Sequence, residues 1–419
     1  MATAGWKPRR LDELGFVGRG KSRHRPRNET RLYGGPYPFI QTADIMAADP
    51  YITSYSQTYS EFGFRQSKMW PPETLCMTIA GANTAKTAIL KIETCFPDSV
   101  VGFIPDKSKC DLHFVKYSLD LMRQSFLSIS RGATQDNLSL YKILSFPIAT
   151  PCIDEQRRIG RILAAYDDLM ENCRRRIRIL EAMARTLYRA WFVDGQFPKQ
   201  SALPSFESQT RTFGHLCELV KEPFKDANHA DLPLLDLSRI PQRSIAPAET
   251  GKSAELTTSR ILFEPGDTLF GAIRCYLHKV VTAHYPGVTN TSVLVLRPKK
   301  PSYRTLVALT ASDTDTIRWA DTHSTGAKMP VINWGVFQTM PAPLPCEVLA
   351  QRFESIAGPM LDQIGVLASQ IQNLRRTRDL LLPRLLSGQT ALASVSANGA
   401  PSYQPGATPH AKHHQNPKG

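Results

Sequence analysis

The stretch PCIDEQRRIGRILAAYDDLMENCRRRIRILEAMARTLYRAWF, residues 151–192, predicts one long helix. Apolar or small side chains recur along it every seven residues, as in a coiled-coil seam, at Ile159, Tyr166, Cys173, Leu180 and Leu187. About 38 residues at 1.5 Å per residue give a helix of roughly 57 Å. Because an isolated helix is marginal in water, one of this length needs a partner along its seam.

The heptad pattern returns 194 residues further along the chain. Pro151 and Cys152 fall on Pro345 and Cys346, and the second seam follows in the same frame at Phe353, Met360, Leu367, Leu374 and Leu381. Segments upstream of the helices correspond as well, since SRGA at 130–133 falls on STGA at 324–327. We therefore predict a duplicated unit, in which a globular domain is followed by a long helix.

The two helices can supply each other's partner. The second domain begins where the first helix ends and finishes where the second helix begins, and domain termini usually lie close together. We therefore predict an α+β protein in which two globular domains are separated by two long helices that form an intramolecular antiparallel coiled coil with pseudo-two-fold symmetry. Pro359 removes a backbone donor and is expected to kink the second helix or divide it near Gly358.

These patterns divide the chain into six predicted segments. They are domain 1 at 1–150, the first long helix at 151–193, a linker at 194–208, domain 2 at 209–345, the second long helix at 346–388, and a tail expected to be disordered at 389–419.

The composition favours a polyanionic partner. The formal net charge is +14 and the pI is near 9.4, so nucleic acid is the leading candidate and an acidic membrane surface the second. The eight cysteines form no CxxC pair and no His stands at metal-ligand spacing, which disfavours a metal site and a disulfide framework. Because the N-terminus has no apolar signal-peptide core and no apolar run reaches transmembrane length, we expect a cytoplasmic protein that does not enter a membrane.

A basic segment near the N-terminus, GFVGRGKSRHRPRN at 15–28, is a candidate nucleic-acid contact. Gly18, Gly20 and Pro26 predict a loop, along which Arg19, Lys21, Arg23, Arg25 and Arg27 could follow a phosphate backbone and reach base edges. A solvated arm explains the same charges equally well.

Polar residues in both domains are further candidates for DNA contact. In domain 1, Gln135 and Asn137 suit bidentate contact with adenine. Gln41 and Thr42 are candidates in the stretch YGGPYPFIQTADI, which is expected to be ordered. The candidates in domain 2 are Arg243, Arg274, Tyr276, Lys279 and Lys328. An ordinary polar turn or a surface lysine remains an alternative for any one of them.

One motif points towards a different class of protein. APAETGKS at 246–253 fits a relaxed phosphate-loop pattern, and a nucleotide hydrolase would use its Gly251, Lys252 and Ser253. A working phosphate loop follows a buried strand and opens a helix, yet the preceding RIPQRSI is not an apolar strand. The chain also lacks a GxGxxG cofactor loop and a GxSxG nucleophile elbow, so we expect no catalytic role.

The chain resembles the DNA-specificity subunits of type I restriction–modification systems. The resemblance is strongest in the two helix regions, at 151–194 and in RFESIAGPMLDQIGVLASQIQNLRRTRDLLLPRLLSGQ at 352–389. Domain 1 resembles one class of recognition domain of these subunits in the segments GRGKSRHRPRN, YPFIQTADI, ITSYSQTYSEFG and TQDNLSL. The resemblance implies two target-recognition domains spaced by the coiled coil.

The resemblance also implies partners. The subunit itself is expected to be non-catalytic, to bind double-stranded DNA, and to position two adenine methyltransferase subunits together with restriction and translocase subunits. S-adenosylmethionine, ATP and Mg would be bound by those partners, and no cofactor or metal by this chain. Because Met329 stands where domain 1 has Gln135, the two domains should read different bases of a bipartite, asymmetric target.

A third alternative is a coiled-coil scaffold that does not read DNA. The cluster Arg174, Arg175, Arg176 and Arg178 could contact methyltransferase subunits or DNA, or form a solvated helix face.

Overall fold

The structure is a computed structural model that describes residues 5–48, 50–81, 84–130, 138–196, 210–223, 232–247, 249–256 and 259–389. The predicted candidates Gln135 and Asn137, most of the predicted linker, and nearly all of the predicted tail lie outside these residues.

Domain 1 is built from short strands and helices, and the first long helix follows it. In chain order the elements are β1 (Lys7–Arg9), α1 (Leu11–Leu14), β2 (Gly15–Arg19), β3 (Tyr33–Phe39), α2 (Thr42–Ala47), β4 (Tyr51–Ile52), β5 (Gln57–Tyr59), α3 (Glu61–Arg65), β6 (Met69–Trp70), β7 (Leu75–Thr78), β8 (Thr87–Leu90), β9 (Thr94–Cys95), β10 (Val100–Pro105), α4 (Leu112–Leu121), α5 (Arg123–Ser130), α6 (Leu140–Leu144), β11 (Ile148–Thr150) and α7 (Ile153–Tyr188). A π-helical turn at Arg189–Val193 continues α7.

Domain 2 and the second long helix repeat this arrangement. Their elements are β12 (Thr210–Thr212), β13 (Cys217–Val220), β14 (Pro233–Leu234), β15 (Gly251–Lys252), β16 (Arg260–Phe263), β17 (Thr268–Gly271), β18 (Val280–Thr282), β19 (Gly287–Asn290), β20 (Val293–Pro298), α8 (Arg304–Ala311), α9 (Thr314–Thr322), α10 (Trp334–Phe337), β21 (Pro341–Pro343) and α11 (Glu347–Leu386).

The two domains share one sheet topology. The larger sheet of domain 1 has five strands in the order β2-β10-β7-β8-β4, and its counterpart in domain 2 has four, β13-β20-β17-β18. The remaining four-stranded sheets are β5-β3-β9-β6 in domain 1 and β15-β14-β19-β16 in domain 2. Each domain also contains a two-stranded antiparallel sheet, β1-β11 in domain 1 and β12-β21 in domain 2. Leu75 pairs with Phe103 and Thr268 with Leu296, so both partners are displaced by 193 residues and the register is preserved. The predicted duplication of an α+β domain is confirmed.

The long helices α7 and α11 pack antiparallel. Asp167, early in α7, bonds to Arg378, late in α11. Near the middle the Cys173 thiol lies 3.8 Å from Gln370 Oε1, and beyond the end of α7 the ring of Trp191 lies 5.6 Å from that of Phe353. The partner that the seam requires is therefore within the chain, as predicted.

The heptad positions lie on the buried side of the helix pair. Ile159, Cys173, Phe353 and Leu367 are buried, and the other six are half-buried, namely Tyr166, Leu180, Leu187, Met360, Leu374 and Leu381. The cores of the domains continue into this seam. Ile159 and Leu385 pack in the core of domain 1, whereas Ile177 and Phe353 pack in the core of domain 2.

The expected division of the second helix at Pro359 is wrong. Helix α11 runs without interruption from Glu347 to Leu386, with Pro359 on its exposed side and Gly358 buried. Removal of one donor costs a single backbone hydrogen bond. Packing of buried residues such as Ala357 and Leu361 holds the helix together on either side of that gap.

Candidate nucleic-acid interface

Three arginines of the basic segment in domain 1 surround Asp98. Arg19 donates from Nε and Nη2 to the Asp98 carbonyl oxygen, at 3.0 and 2.7 Å. Arg27 donates to Asp98 Oδ1 at 2.7 Å, and Arg25 Nη2 lies 3.7 Å from Oδ2. Asp98 therefore organises three exposed guanidinium groups, one through its backbone carbonyl and two through its carboxylate. The cluster keeps a charge of +2 towards solvent.

The basic segment is only partly the loop that its glycines predict. Gly15–Arg19 forms strand β2 at the edge of the larger sheet, where Gly18 pairs with Gly102 of β10. An edge strand pairs on one side only, so the exposed Phe16 and Arg19 are tolerated there. From Gly20 to Glu29 the chain contains no helix or strand, as predicted.

Within this loop the backbone is held while the charged side chains stay exposed. The Lys21 N–H donates to the Phe96 carbonyl at 3.1 Å. Gln66 Oε1 accepts from the N–H groups of Arg23 and His24. The side chains of Lys21 and Arg23 are exposed, so a fixed backbone presents them to solvent.

A cavity of about 720 Å³ opens beside the arginine cluster. Polar side chains and two aromatic rings dominate its lining, which comprises Ser22, Arg27, Asn28, Thr30, Tyr33, Gly34, Phe39, Gln41, Thr42, Gln57, Pro97 and Ser99. The cavity unites three of the predicted contacts, Arg27, Gln41 and Thr42. Sequence analysis missed Gln57, which reaches the site because β5 pairs with β3 and places Gln57 opposite Phe39.

Three segments of domain 2 converge on one exposed surface. The Arg243 N–H donates to the His278 carbonyl at 2.9 Å, and the Arg274 N–H donates to the Pro330 carbonyl at 2.8 Å. These bonds gather the four predicted contacts whose side chains are exposed, Arg243, Arg274, Tyr276 and Lys328. Lys279 differs from them, because it is half-buried and its Nζ donates to the Leu237 carbonyl at 2.6 Å.

The backbone of this surface is strained. Arg243, Arg274 and His278 have φ angles of 59°, 54° and 54°, a conformation that is costly for residues other than glycine. Burial lowers the pKa of His278, and the neutral ring bonds through Nε2 to the Ser312 carbonyl at 2.7 Å. The buried Glu181 of α7 accepts from Ser244 Oγ at 2.6 Å and from the N–H groups of Ile245 and Ala246. The first long helix thus holds the loop that carries Arg243.

The phosphate-loop motif does not adopt phosphate-loop geometry. Gly251 and Lys252 form strand β15, which pairs antiparallel with β14. The Lys252 N–H donates to Glu255 Oε1 at 2.9 Å, and only a three-residue 3-10 turn, Ser253–Glu255, follows. Backbone amides therefore do not converge on a phosphate at the start of a helix.

The described residues contain no cluster of three or more His, Cys, Asp or Glu side chains that could hold a metal ion. Within the same part of the chain, no helix is both long and apolar enough to cross a membrane.

The comparison with protein families concerns domain 1 and most of α7. Residues 3–182 match the model of the type I restriction modification DNA specificity domain. This part of the chain, 180 of its 419 residues, is similar to that domain. The matched region contains the arginine cluster, the cavity and most of α7.

Two known proteins are similar to the chain. The specificity subunit of the type I restriction enzyme MjaIX from Methanocaldococcus jannaschii is 25% identical over 194 residues, which are 45% of this chain and 44% of that protein. The match therefore spans less than half of the relative. The crystal structure of the S subunit of a type I restriction-modification system from M. genitalium has a TM-score of 0.57 at 17% identity, over 91% of this chain and 96% of that one. That likeness establishes a shared fold and extends it beyond the specificity domain to domain 2 and α11.

Proposed function

We propose that the chain is the DNA-specificity subunit of a type I restriction–modification system and reads a bipartite, asymmetric target. The observation that supports this most directly is the repetition of one domain topology at opposite ends of an antiparallel helix pair. Such a molecule presents two reading surfaces at a fixed separation. The similarity of residues 3–182 to a DNA specificity domain supports DNA as the ligand.

The two surfaces suit different half-sites. Domain 1 offers an arginine cluster beside a polar cavity, whereas domain 2 offers Arg243, Arg274, Tyr276 and Lys328 on converging loops. Exposed guanidinium groups would supply salt-dependent contacts to phosphates, and amide and hydroxyl groups would read base edges. Since the side chains differ between the domains, the half-sites should differ as well.

The chain would act as an adaptor without chemistry of its own. Two adenine methyltransferase subunits and the restriction and translocase subunits would bind to it and carry S-adenosylmethionine, ATP and Mg. The exposed side of the helix pair, where Leu169, Ile179 and Met183 are each about half exposed, is available for such subunits.

A matched change in both helices tests the spacer. Residues 172–178 and 366–372 are heptads that face each other at the centre of the helix pair and occupy the same place in the two repeats. Duplicating both would lengthen the pair by about 10 Å, or roughly three base pairs, and keep the seam in frame. We expect the methylated or selected target to keep both half-sites and gain about three base pairs of spacer. An unchanged spacer would contradict the proposal.

Two binding measurements separate the alternatives. A nucleotide hydrolase requires that the chain bind ATP, and that Lys252→Ala abolish this binding. A scaffold that does not read DNA requires that the chain show no sequence preference, even with methyltransferase subunits present. Neither result is expected here.

A further inference from the structure

Gln41 and Gln57 form a hydrogen-bonded pair in the wall of the domain 1 cavity. Gln41 precedes α2 and Gln57 begins β5, and Gln41 Nε2 donates to Gln57 Oε1 at 2.6 Å. Among the described residues neither side chain bonds to any other group. Gln41 Oε1 and Gln57 Nε2 are therefore left as an adjacent acceptor and donor.

This chemistry does not depend on which amide donates. If both side-chain amide groups are rotated by 180°, Gln57 Nε2 donates to Gln41 Oε1, and Gln41 Nε2 and Gln57 Oε1 remain available to a ligand. One donor and one acceptor remain side by side in either case. The pair is thus a neutral unit with a defined hydrogen-bonding pattern.

The pattern distinguishes purines. In the major groove adenine presents the N7 acceptor beside the N6 donor, whereas guanine presents two acceptors, N7 and O6. An adjacent donor and acceptor match adenine, but the acceptor of the pair would face O6 of guanine. None of the cavity's lining residues in the described part of the chain carries a carboxylate, and Arg27, Asn28 and Thr30 remain to contact the sugar and phosphate.

The equivalent position in domain 2 is built differently. Leu234 pairs with Gly251 there, as Phe39 pairs with Gln57 in domain 1, so Gly251 corresponds to Gln57 and Asp236 to Gln41. The Arg239 guanidinium occupies the space above Gly251, where an added Cβ would lie 2.6 Å from its Cζ. Arg239 pairs with Asp236 at 2.8 Å and with Glu255 at 2.5 Å. In domain 2, ion pairs among Arg239, Asp236 and Glu255 therefore take the place of the hydrogen-bonded amide pair of domain 1.

We propose that Gln41 and Gln57 together read one adenine in the half-site bound by domain 1, and that domain 2 makes no such contact from its equivalent position. The proposal rests on the function proposed above and adds a specificity-determining pair and its base. It also explains why Gly251 is a glycine, since the Arg239 side chain needs that space.

The test is selection from a randomised double-stranded DNA library by the full-length chain, followed by affinity measurement on the selected duplex. Wild type should enrich a two-part motif. Gln41→Ala with Gln57→Ala should lose an adenine preference at one position only and bind the selected duplex about 5- to 150-fold more weakly. Gln57→Arg, which adds donors, should shift that position towards guanine. Gln351→Ala, the same truncation at an exposed position of α11, should change nothing.

Each outcome decides a different point. A wild-type motif that the double variant leaves unchanged would overturn the pair's role and leave the proposed function standing. Loss of preference at a base other than adenine would overturn the adenine assignment. Absence of any wild-type motif, also with methyltransferase subunits present, would overturn the proposed function itself. Because Gln57→Arg is expected to gain a preference, misfolding could not mimic that result.

Discussion

Both domains pack apolar side chains on the helix pair, but domain 1 adds a buried ion pair, whereas domain 2 adds ion pairs at the rim and loop contacts to the buried Glu181. In domain 1 Asp167 of α7 is 0% exposed and accepts from Tyr117 at 2.5 Å and from Arg378 of α11. Burial, and then the Asp167 charge, raises the pKa of Tyr117 above its usual range, so the phenol stays a donor. This network joins the domain to both helices.

At the other end of the helix pair, the positions equivalent to these two charged residues carry apolar side chains. Asp167 corresponds to Leu361 and Arg378 to Ala184, and both of these residues are buried in the core of domain 2. Apart from the loop contacts of Glu181, the polar attachment of domain 2 lies further out, where Arg304 donates to Glu354 at 2.9 Å and to Asp362 at 2.6 Å. A duplicated fold can therefore keep its topology while the attachments of its two domains to the helix pair differ in chemistry.

The largest expected effect comes from breaking the attachment of domain 1. Asp167→Ala should lower the free energy of unfolding by about 3 to 5 kcal/mol, because Arg378 and Tyr117 lose a buried partner. Urea denaturation followed by circular dichroism measures this loss. Asp167→Leu with Arg378→Ala copies the residues of the other end and should recover part of the stability, because no buried guanidinium is left without its partner although the Tyr117 hydroxyl still is. A cost below about 1 kcal/mol for Asp167→Ala would contradict the importance of the network.

A smaller effect should follow from releasing the domain 2 loop. Glu181→Ala removes the acceptor of three hydrogen bonds, two of them from buried N–H groups. This change should lower the free energy of unfolding by about 2 kcal/mol. Denaturation of the full chain measures the cost. Glu181→Gln keeps an acceptor oxygen and should lose less. Equal losses for both variants would show that the charge matters more than the bonding geometry.

Acidification should weaken the docking of domain 2. Burial, opposed by Asp362 and reinforced by Arg304, lowers the pKa of His284 to about 4, and its ring packs against Gly365 of α11. The unfolded chain binds a proton near pH 6.5, so this contribution to stability is complete above that pH and is lost as the pH falls towards 4. Between pH 7 and pH 5 the loss should be at most about 2 kcal/mol. His284→Gln should flatten the pH dependence of unfolding, and an unchanged profile would exclude His284 as its source.

The smallest expected effect concerns the phosphate contacts that both domains share. Arg25→Ala with Arg27→Ala should make the slope of log affinity against log salt shallower by about 1.8, as two lost phosphate contacts require. Arg243→Ala with Arg274→Ala should do the same in domain 2. Both pairs should weaken binding to all sequences alike. Arg157→Ala with Arg161→Ala, two exposed arginines of α7 outside the candidate contacts, is the control, and a slope change as large as in the test pairs would point to charge alone.

Much of the fold could be predicted because its signals are local or repeated. Heptad spacing predicts α7 and α11, and apolar runs such as Leu75–Ile79 and Thr268–Ile273 predict the strands β7 and β17. The site was harder to predict. Arg27, Gln41 and Thr42 were candidates that meet in one cavity, but Gln57 was not, because its position depends on the pairing of β5 with β3. Gly251 and Lys252 fit a motif whose geometry the chain does not adopt.

The sequence by itself determined that the chain is duplicated, that each half ends in a long helix, and that the helices need each other, since periodicity and repetition are properties of the order of residues. Only the tertiary structure decided which polar groups meet. Asp167 and Arg378 are 211 residues apart, and Arg239 fills the space above Gly251 only through the pairing of β14 with β15. Such contacts depend on how whole elements pack against one another, and no local pattern of side chains encodes that packing.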